Sequence, residues 1–199
     1  MKKLIVSAIS LLLLTVWMYG QQATPKPFSF KSAVVEYKYS GEKTGKSTQY
    51  VDDYGMKNAT YSETIEEGEL SKGWIVTSGE YQYMWNLADP TQGMKMKNPL
   101  MEWISQSSAM DLEAYTTAAY EKMGMVKSGK ETFLGKDCTV IKGDMGKVLI
   151  WKGIIMLSEF RMGAYVSRQE ATSIKTDIIV DPTYFIIPAS IKFTEMNMF

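Results

Sequence analysis

The sequence predicts an α+β protein, in which an antiparallel sheet of many strands carries a short helical insert. Two observations predict this class. Apolar and polar residues alternate with a period of two over most of the chain, as in Val35, Tyr37 and Tyr39. Between residues 99 and 123 the period becomes helical, and alternation then returns up to the end of the chain.

The first half reads as a meander of antiparallel strands joined by short polar turns. Alternating stretches follow one another in AVVEYKYS, STQYVDDYG, MKNATYSETI and GWIVTSGEYQYMWNL. The last of these contains Ser78-Gly79 at its centre, which predicts a hairpin turn.

The middle of the chain predicts one or two helices. Asn98 is a possible cap, Pro99 suits a first helical position, and Gly124 suits a helix end. Ser108 and Asp111 resemble a capping box. One helical face carries four residues: Leu112, Tyr115, Ala119 and Met123.

The N-terminus predicts export. Lys2 and Lys3 precede the apolar run Leu4 to Trp17, which is shorter than the roughly 20 residues that span a membrane. We interpret residues 1–21 as a signal peptide, 22–29 as a flexible leader and 30–199 as one domain. The expected location is the periplasm, with secretion or an uncleaved anchor as alternatives.

Composition argues against several classes of function. The sequence has 22 basic and 22 acidic residues, and removal of Lys2 and Lys3 leaves a net charge of about −2, which argues against nucleic-acid binding. It has no histidine, which excludes Ser-His-Asp catalysis and histidine metal sites. Cys138 is the single cysteine, and its strand-like surroundings favour a buried thiol. We therefore expect no enzyme activity and no cofactor, with an enzyme that uses carboxylates, lysine or tyrosine alone as the remaining alternative.

The stretch SGEKTGKS, Ser40 to Ser47, is one residue away from a phosphate-binding P-loop. A P-loop needs a helix after it, because the helix N-terminus holds the phosphate. The following residues, TQYVDDYG, alternate as a strand does. We therefore interpret the stretch as a turn between two antiparallel strands.

Methionine occurs in three M-x-M pairs: Met94/Met96, Met123/Met125 and Met196/Met198. Thioethers are ligands for Cu(I). The pairs lie far apart in the sequence and have no histidine or cysteine beside them. The sequence therefore favours methionine as a filler of the core or of an adaptable apolar surface.

The segment VLIWKGIIML predicts a hairpin that is apolar on both faces, because only Lys152-Gly153 interrupts its apolar residues. One face needs a second layer or an apolar cavity. Tyr81, Tyr83 and Trp85 likewise share one face of a strand. An ordinary two-layer core and a curved sheet that lines a ligand pocket both remain open.

Three segments resemble the LolA/LolB-like periplasmic lipoprotein-carrier superfamily, and especially its uncharacterised secreted relatives. They are Phe133 to Cys138, Trp151 to Leu157, and Phe185 to Pro188. The resemblance covers most of residues 30–197. It implies a strongly curved antiparallel sheet, an incomplete β-barrel, wrapped around the helical insert, with an apolar concave face that holds acyl chains.

These observations lead to an expected function. We expect a non-enzymatic periplasmic carrier that holds a lipid, an acyl chain or a lipoprotein in its concavity, and that is a monomer. An envelope protein partner fits as well. The alternative is an envelope interaction module with a filled core. The expected ligand-binding residues are Tyr81, Tyr83, Trp85, Leu149, Trp151, Ile154 and Met156.

Overall fold

A computed structural model describes residues 26–106 and 111–196. The signal peptide predicted at residues 1–21 lies outside these residues. Twelve strands form one sheet in the order β12-β6-β5-β4-β3-β2-β1-β11-β10-β9-β8-β7. Their bounds are β1 Ala33–Gly41, β2 Lys43–Asp52, β3 Lys57–Glu66, β4 Glu69–Ser78, β5 Tyr81–Asn86, β6 Gln92–Lys97, β7 Val126–Phe133, β8 Lys136–Gly143, β9 Gly146–Trp151, β10 Ile154–Met162, β11 Tyr165–Thr176 and β12 Lys192–Met196.

The sheet consists of two meanders, β1–β6 and β7–β11, in which each strand pairs with the next. They join where β1 pairs with β11 in the antiparallel sense, with Val35 opposite Ile174. Strand β12 then pairs with β6 in the parallel sense. Alternation predicts each meander correctly, because neighbouring strands linked by short turns pair antiparallel.

The predicted turns are confirmed. The SGEKTGKS stretch runs from the end of β1 across Glu42 into β2, so a strand and not an α-helix comes directly after the turn. The turn from β4 to β5 lies at Gly79-Glu80, one residue later than the predicted Ser78-Gly79. Lys152 and Gly153 connect β9 to β10 with φ angles of 49° and 86°. Two consecutive positive φ angles are typical of the tight hairpin turn that matches the twist of a sheet.

Two helices lie where the sequence predicts them: α1 Pro99–Gln106 and α2 Leu112–Lys122. Asn98 Oδ1 accepts the Leu100 backbone N–H at 3.1 Å. Asp111 caps α2 by accepting the N–H groups of Glu113 and Ala114. Ser108, the other predicted capping residue, lies outside the described residues. Within the described part of the chain, no helix is long and apolar enough to cross a membrane.

The α+β class with a sheet wrapped around a helical insert is wrong. The fold is dominated by one large open sheet, and the insert is minor. The physical reason lies in α2, which has 11 residues of which none is buried. Met123, at the end of its predicted apolar face, is 52% exposed. A helix that buries so little cannot serve as the core of a sheet. An open sheet with curvature, as expected from the resemblance, agrees with the structure.

The apolar core falls into three clusters. The first includes Val35, Leu149 and Met156, and the N-terminal Phe28 and Phe30 pack into it. The second is largely aromatic and lies on β2–β5 beneath the segment 182–193. The third joins β8 and β9 to Tyr120 of α2. Phe28 belongs to the predicted flexible leader, yet it is 3% exposed and donates its N–H to Tyr54 O at 3.0 Å.

Cys138 is fully buried in the first cluster, as predicted. Burial raises the pKa of its thiol to about 11. Because only the thiolate reacts, we expect native protein at pH 8 to react with iodoacetamide about 100-fold more slowly than a model thiol of pKa 9, before access is considered. Mass spectrometry after timed labelling, with and without guanidinium chloride, measures this. Equal labelling in both conditions would contradict the buried position.

Candidate functional site

The sheet presents two distinct faces between β1 and β6. Pairing in this region has no register shift, so directly opposed residues share a face. We call one the inner face, and it carries Tyr37, Ser47, Gln49, Asn58, Thr60, Thr77 and Gln82. We call the other the outer face, and it carries Tyr50, Ala59, Tyr61, Trp74, Val76, Tyr83 and Trp85.

A cavity of about 360 Å³ lies against the inner face. Strands β1 to β5 and Gln169 of β11 form its floor. Its walls come from the N-terminal segment, both helices and the β9–β10 turn. The wall residues are Phe28, Gly55, Asn98, Pro99, Leu100, Leu112, Tyr115, Gly153, Ile154 and Ile155. This volume lies within the range of small-molecule sites.

Hydrogen bonds fix part of the cavity floor. Tyr37 donates its hydroxyl to Gln49 Oε1 at 3.1 Å, and Gln49 Nε2 donates to Asn58 Oδ1 at 3.3 Å. Tyr39 Oη and Ser47 Oγ lie 3.0 Å apart. Burial raises the pKa of Tyr37, so its phenol stays neutral and keeps its proton. The chain of bonds therefore holds the amides of Gln49 and Asn58 in defined orientations.

Other polar groups of the floor are free to meet a ligand. Thr60, Thr77, Gln82 and Gln169 line the cavity, and their side chains have no hydrogen-bond partner among the described residues. Among the residues that the structure describes, none that lines the cavity has a side chain that is charged at neutral pH. The cavity thus combines a neutral, hydrogen-bonding floor with apolar and aromatic walls, which suits an uncharged amphiphilic molecule.

Glu113 fastens α2 over the cavity. Its Oε1 accepts the Thr139 hydroxyl at 2.6 Å, and its Oε2 accepts the Lys152 N–H at 2.7 Å. The helix is thereby tied to β8 and to the β9–β10 turn. Gly153 makes this approach possible, because a Cβ there would lie 3.0 Å from Leu112 Cβ and its φ of 86° favours glycine.

Three of the predicted ligand-binding residues lie on the outer face, away from the cavity. Trp85 packs against Trp74 and Phe193, with ring centroids 6.4 and 6.2 Å apart. Tyr83 meets Phe193 edge to face at 5.1 Å. Tyr81 stacks at a tilt on Tyr83. Tyr83 and Trp85 belong to the aromatic cluster that the segment 182–193 covers, and Tyr81 lies at the border of this cluster.

The other four predicted residues belong to the first core cluster. Leu149, Ile154 and Met156 are each at most 1% exposed. Trp151 is half-buried and stacks on Phe30 with ring centroids 5.9 Å apart. Among the seven predicted residues, Ile154 lines the cavity. The structure therefore separates the predicted set into two clusters and brings one member to the cavity.

The polar floor was missed by sequence reasoning. Gln49, Asn58, Thr60, Thr77 and Gln82 alternate with apolar residues on their strands, which is the ordinary pattern of a solvent-exposed face. One signal was present in the sequence. These five residues are all neutral amides or hydroxyls, whereas exposed strand faces commonly carry Lys and Glu, as β2 does at Lys46.

A shallower groove of about 410 Å³ lies further along the inner face, over β4, β5 and β6. Ile75, Met84 and Met94 lie directly opposite one another across these strands and form its apolar base. Asp89 lies at its rim and accepts the backbone N–H and the hydroxyl of Thr91. The groove continues the inner face beyond Thr77 and Gln82, so cavity and groove adjoin.

Fold and cavity together define an open-sheet β protein whose inner face carries a cavity with a neutral lining. The chain is similar to an uncharacterized conserved protein from Thermus thermophilus, with 7% identity and a TM-score of 0.54, over 84% of this chain and 92% of that one. It also matches PNGF-II, with 11% identity and a TM-score of 0.43 over 83% of this chain and 32% of that one. For the Pseudomonas aeruginosa MucA/MucB complex the identity is 12%, the TM-score 0.40, and the coverage 80% and 56%.

The similarity to the Thermus protein concerns the fold alone. No family model matches the sequence, and no curated protein matches it. The chain spans nearly the full length of the Thermus protein, and about a third of PNGF-II. Membership of the LolA/LolB-like superfamily, which the sequence suggested, therefore remains a prediction.

Proposed function

We propose that this protein is a non-enzymatic binding protein of the cell envelope, which holds an acyl ester or a similar uncharged lipid in the cavity of the inner face. The observation that carries the proposal is the cavity itself, with its apolar walls, neutral floor and free polar side chains. Burial of an acyl chain against Phe28, Leu100, Leu112 and Ile154 would drive binding, at about 25 cal/mol per Å² of apolar surface.

The neutral lining favours one lipid class over another. A free fatty acid or a phospholipid carries a negative charge, and a buried charge without a partner is costly. The described lining residues offer no cation to pair with it. An ester or amide carbonyl needs only hydrogen-bond donors, which Thr60 and Gln82 supply. Lipoprotein acyl groups and acylglycerols satisfy this requirement.

The signal peptide predicted at residues 1–21 supports a periplasmic location for this function, with secretion as the alternative. An envelope protein that delivers or receives the lipid would be the partner. The described residues that line the cavity offer amide and hydroxyl groups for hydrogen bonding, which supports a binding role. The competing function remains an envelope interaction module without a small ligand.

Native mass spectrometry tests the proposal. Mature protein purified without detergent should carry a reproducible adduct of lipid mass, and organic extraction should release it. Thr60→Trp should abolish the adduct, because an indole on the floor would fill the cavity. Thr44→Trp is the matched control, since Thr44 is exposed and shares the outer-face register of Tyr50 on β2. It should leave loading unchanged.

Purified, delipidated protein then decides the lipid class. Titration with monoolein and with oleate compares the same acyl chain on an uncharged ester and on a charged carboxylate. We expect monoolein to bind at least about tenfold more tightly, because oleate must leave its charge unpaired. Equal binding of both would contradict the argument from the neutral floor. A clean mass without adduct, together with no uptake of either compound, would favour the interaction module.

A further inference from the structure

Four methionines occupy adjoining positions on the inner face of β5, β6 and β12. Met84 lies directly opposite Met94 in the antiparallel pair. Met96 lies directly opposite Met196 in the parallel pair. Met94 and Met96 are two residues apart on β6 and therefore share this face. Opposed side chains in a sheet have Cβ atoms about 4.5–5.5 Å apart, so the four form one continuous patch.

We propose that these four methionines form a Cu(I) site in which thioether sulfurs alone bind the ion. Thioethers are soft ligands that select Cu(I) over hard cations. Methionine is unbranched with three rotatable bonds, so sulfurs from adjoining strands can converge on one ion without moving the backbone. The site adjoins the lipid cavity on the same face, because Gln82, which lines the cavity, lies directly opposite Met96.

Exposure and charge both permit metal access. Met94 is 46% exposed and Met196 is 36% exposed, while Met84 and Met96 are half-buried. Their direct neighbours on this face are neutral: Ile75, Gln82 and Thr194. The nearby Lys95 lies on the other face, where it pairs with Glu195 at 3.1 Å. Lys192 also lies on this face, diagonal to Met94 as the partner of Gln92, but its side chain is exposed to solvent. The positions directly opposite the four methionines carry no charge.

The rest of the protein offers little competition for a soft metal. The sequence has no histidine, and Cys138 is buried in the core with a raised pKa. Within residues 26–106 and 111–196, no cluster of three carboxylate or cysteine ligands could hold a metal ion. The sequence argued against copper because its M-x-M pairs are far apart. The parallel pairing of β12 with β6 removes that objection for Met94, Met96 and Met196.

Anaerobic titration of the mature protein with Cu(I), and separately with Ag(I), tests the site. Methyl groups of methionine labelled with ¹³C report each thioether. We expect one equivalent to bind and the four methyl signals of this patch to shift. Because thioethers do not titrate, affinity should be constant between about pH 5 and 8, unlike a carboxylate or thiolate site.

Met94→Leu and Met96→Leu preserve volume and keep the surface apolar. Each should weaken Cu(I) binding by at least about tenfold, because loss of even a group that only hydrogen-bonds to a metal ligand lowers metal affinity by about that factor. Met162→Leu is the control, because Met162 is 63% exposed and lies on β10. The proposal is overturned if no saturable binding occurs, if affinity collapses at pH 5, or if Met162→Leu weakens binding as much as Met94→Leu.

Discussion

Trp85→Ala is expected to lower the free energy of unfolding by about 3–5 kcal/mol, the usual cost of removing a buried tryptophan side chain. Trp85 is 9% exposed and lies between Trp74 and Phe193. The indole contacts both the meander and the C-terminal strand, so its loss should also loosen residues 182–193. Urea denaturation measures the stability, and hydrogen exchange measures the protection of that segment.

Tyr165→Ala is the control for this change. Tyr165 is 37% exposed on β11 and lies outside the aromatic cluster. Its replacement should alter stability by no more than about 0.5 kcal/mol. If Trp85→Ala abolished lipid loading at full stability and unchanged exchange, Trp85 would contact the ligand, as the sequence suggested, and its assignment to the aromatic core would be wrong.

Glu113→Ala is expected to release α2 from the sheet and to lower the free energy of unfolding by about 2 kcal/mol, as for hydrogen bonds to a charged group. The side chain accepts two hydrogen bonds, from Thr139 and from Lys152. No residue of α2 is fully buried, and its other packing comes from the partly buried Leu112 and Tyr120. Hydrogen exchange of residues 111–123 should accelerate, and bound monoolein should dissociate faster because one wall of the cavity opens.

Glu121→Ala provides the matched comparison on the same helix. Glu121 is exposed, and its carboxylate accepts no hydrogen bond from another described residue. Both variants remove one carboxylate and add one good helix former, so intrinsic helix propensity changes equally. Similar exchange rates in the two variants would show that Glu113 does not fasten α2.

Local structure could be predicted from the sequence because its causes are local. Alternation identified the strands, and Lys152-Gly153 identified a tight turn, since residues with positive φ leave a clear signature. Pro99 marked the start of α1. The contribution of the helices to the core could not be predicted in the same way. The apolar face from Leu112 to Met123 fits a helix, but only tertiary packing decides whether that face is buried.

The candidate site depended on contacts between distant parts of the chain. The sequence shows that Tyr83 and Trp85 share a face, but not that Tyr184 and Phe185 cover it. The sequence also shows that Gln82 lies on the opposite face of the sheet from Tyr83, but not that Phe28 and the helices enclose that inner face. Alternation assigns residues to two faces, and only the order of the strands determines which face becomes the cavity.

The parallel pairing of β12 with β6 has a kinetic consequence. Lys192 pairs with Gln92, so about 100 residues separate the partners. Sheet pairings with such long loops form slowly, because closing the loop loses conformational entropy before the strands make any stabilising contact. The first meander can form early, but its aromatic outer face stays open to water until residues 182–196 arrive. Folding should therefore show a late phase in which tryptophan fluorescence changes as this face is covered, and a chain interrupted before that phase would be prone to aggregate through it.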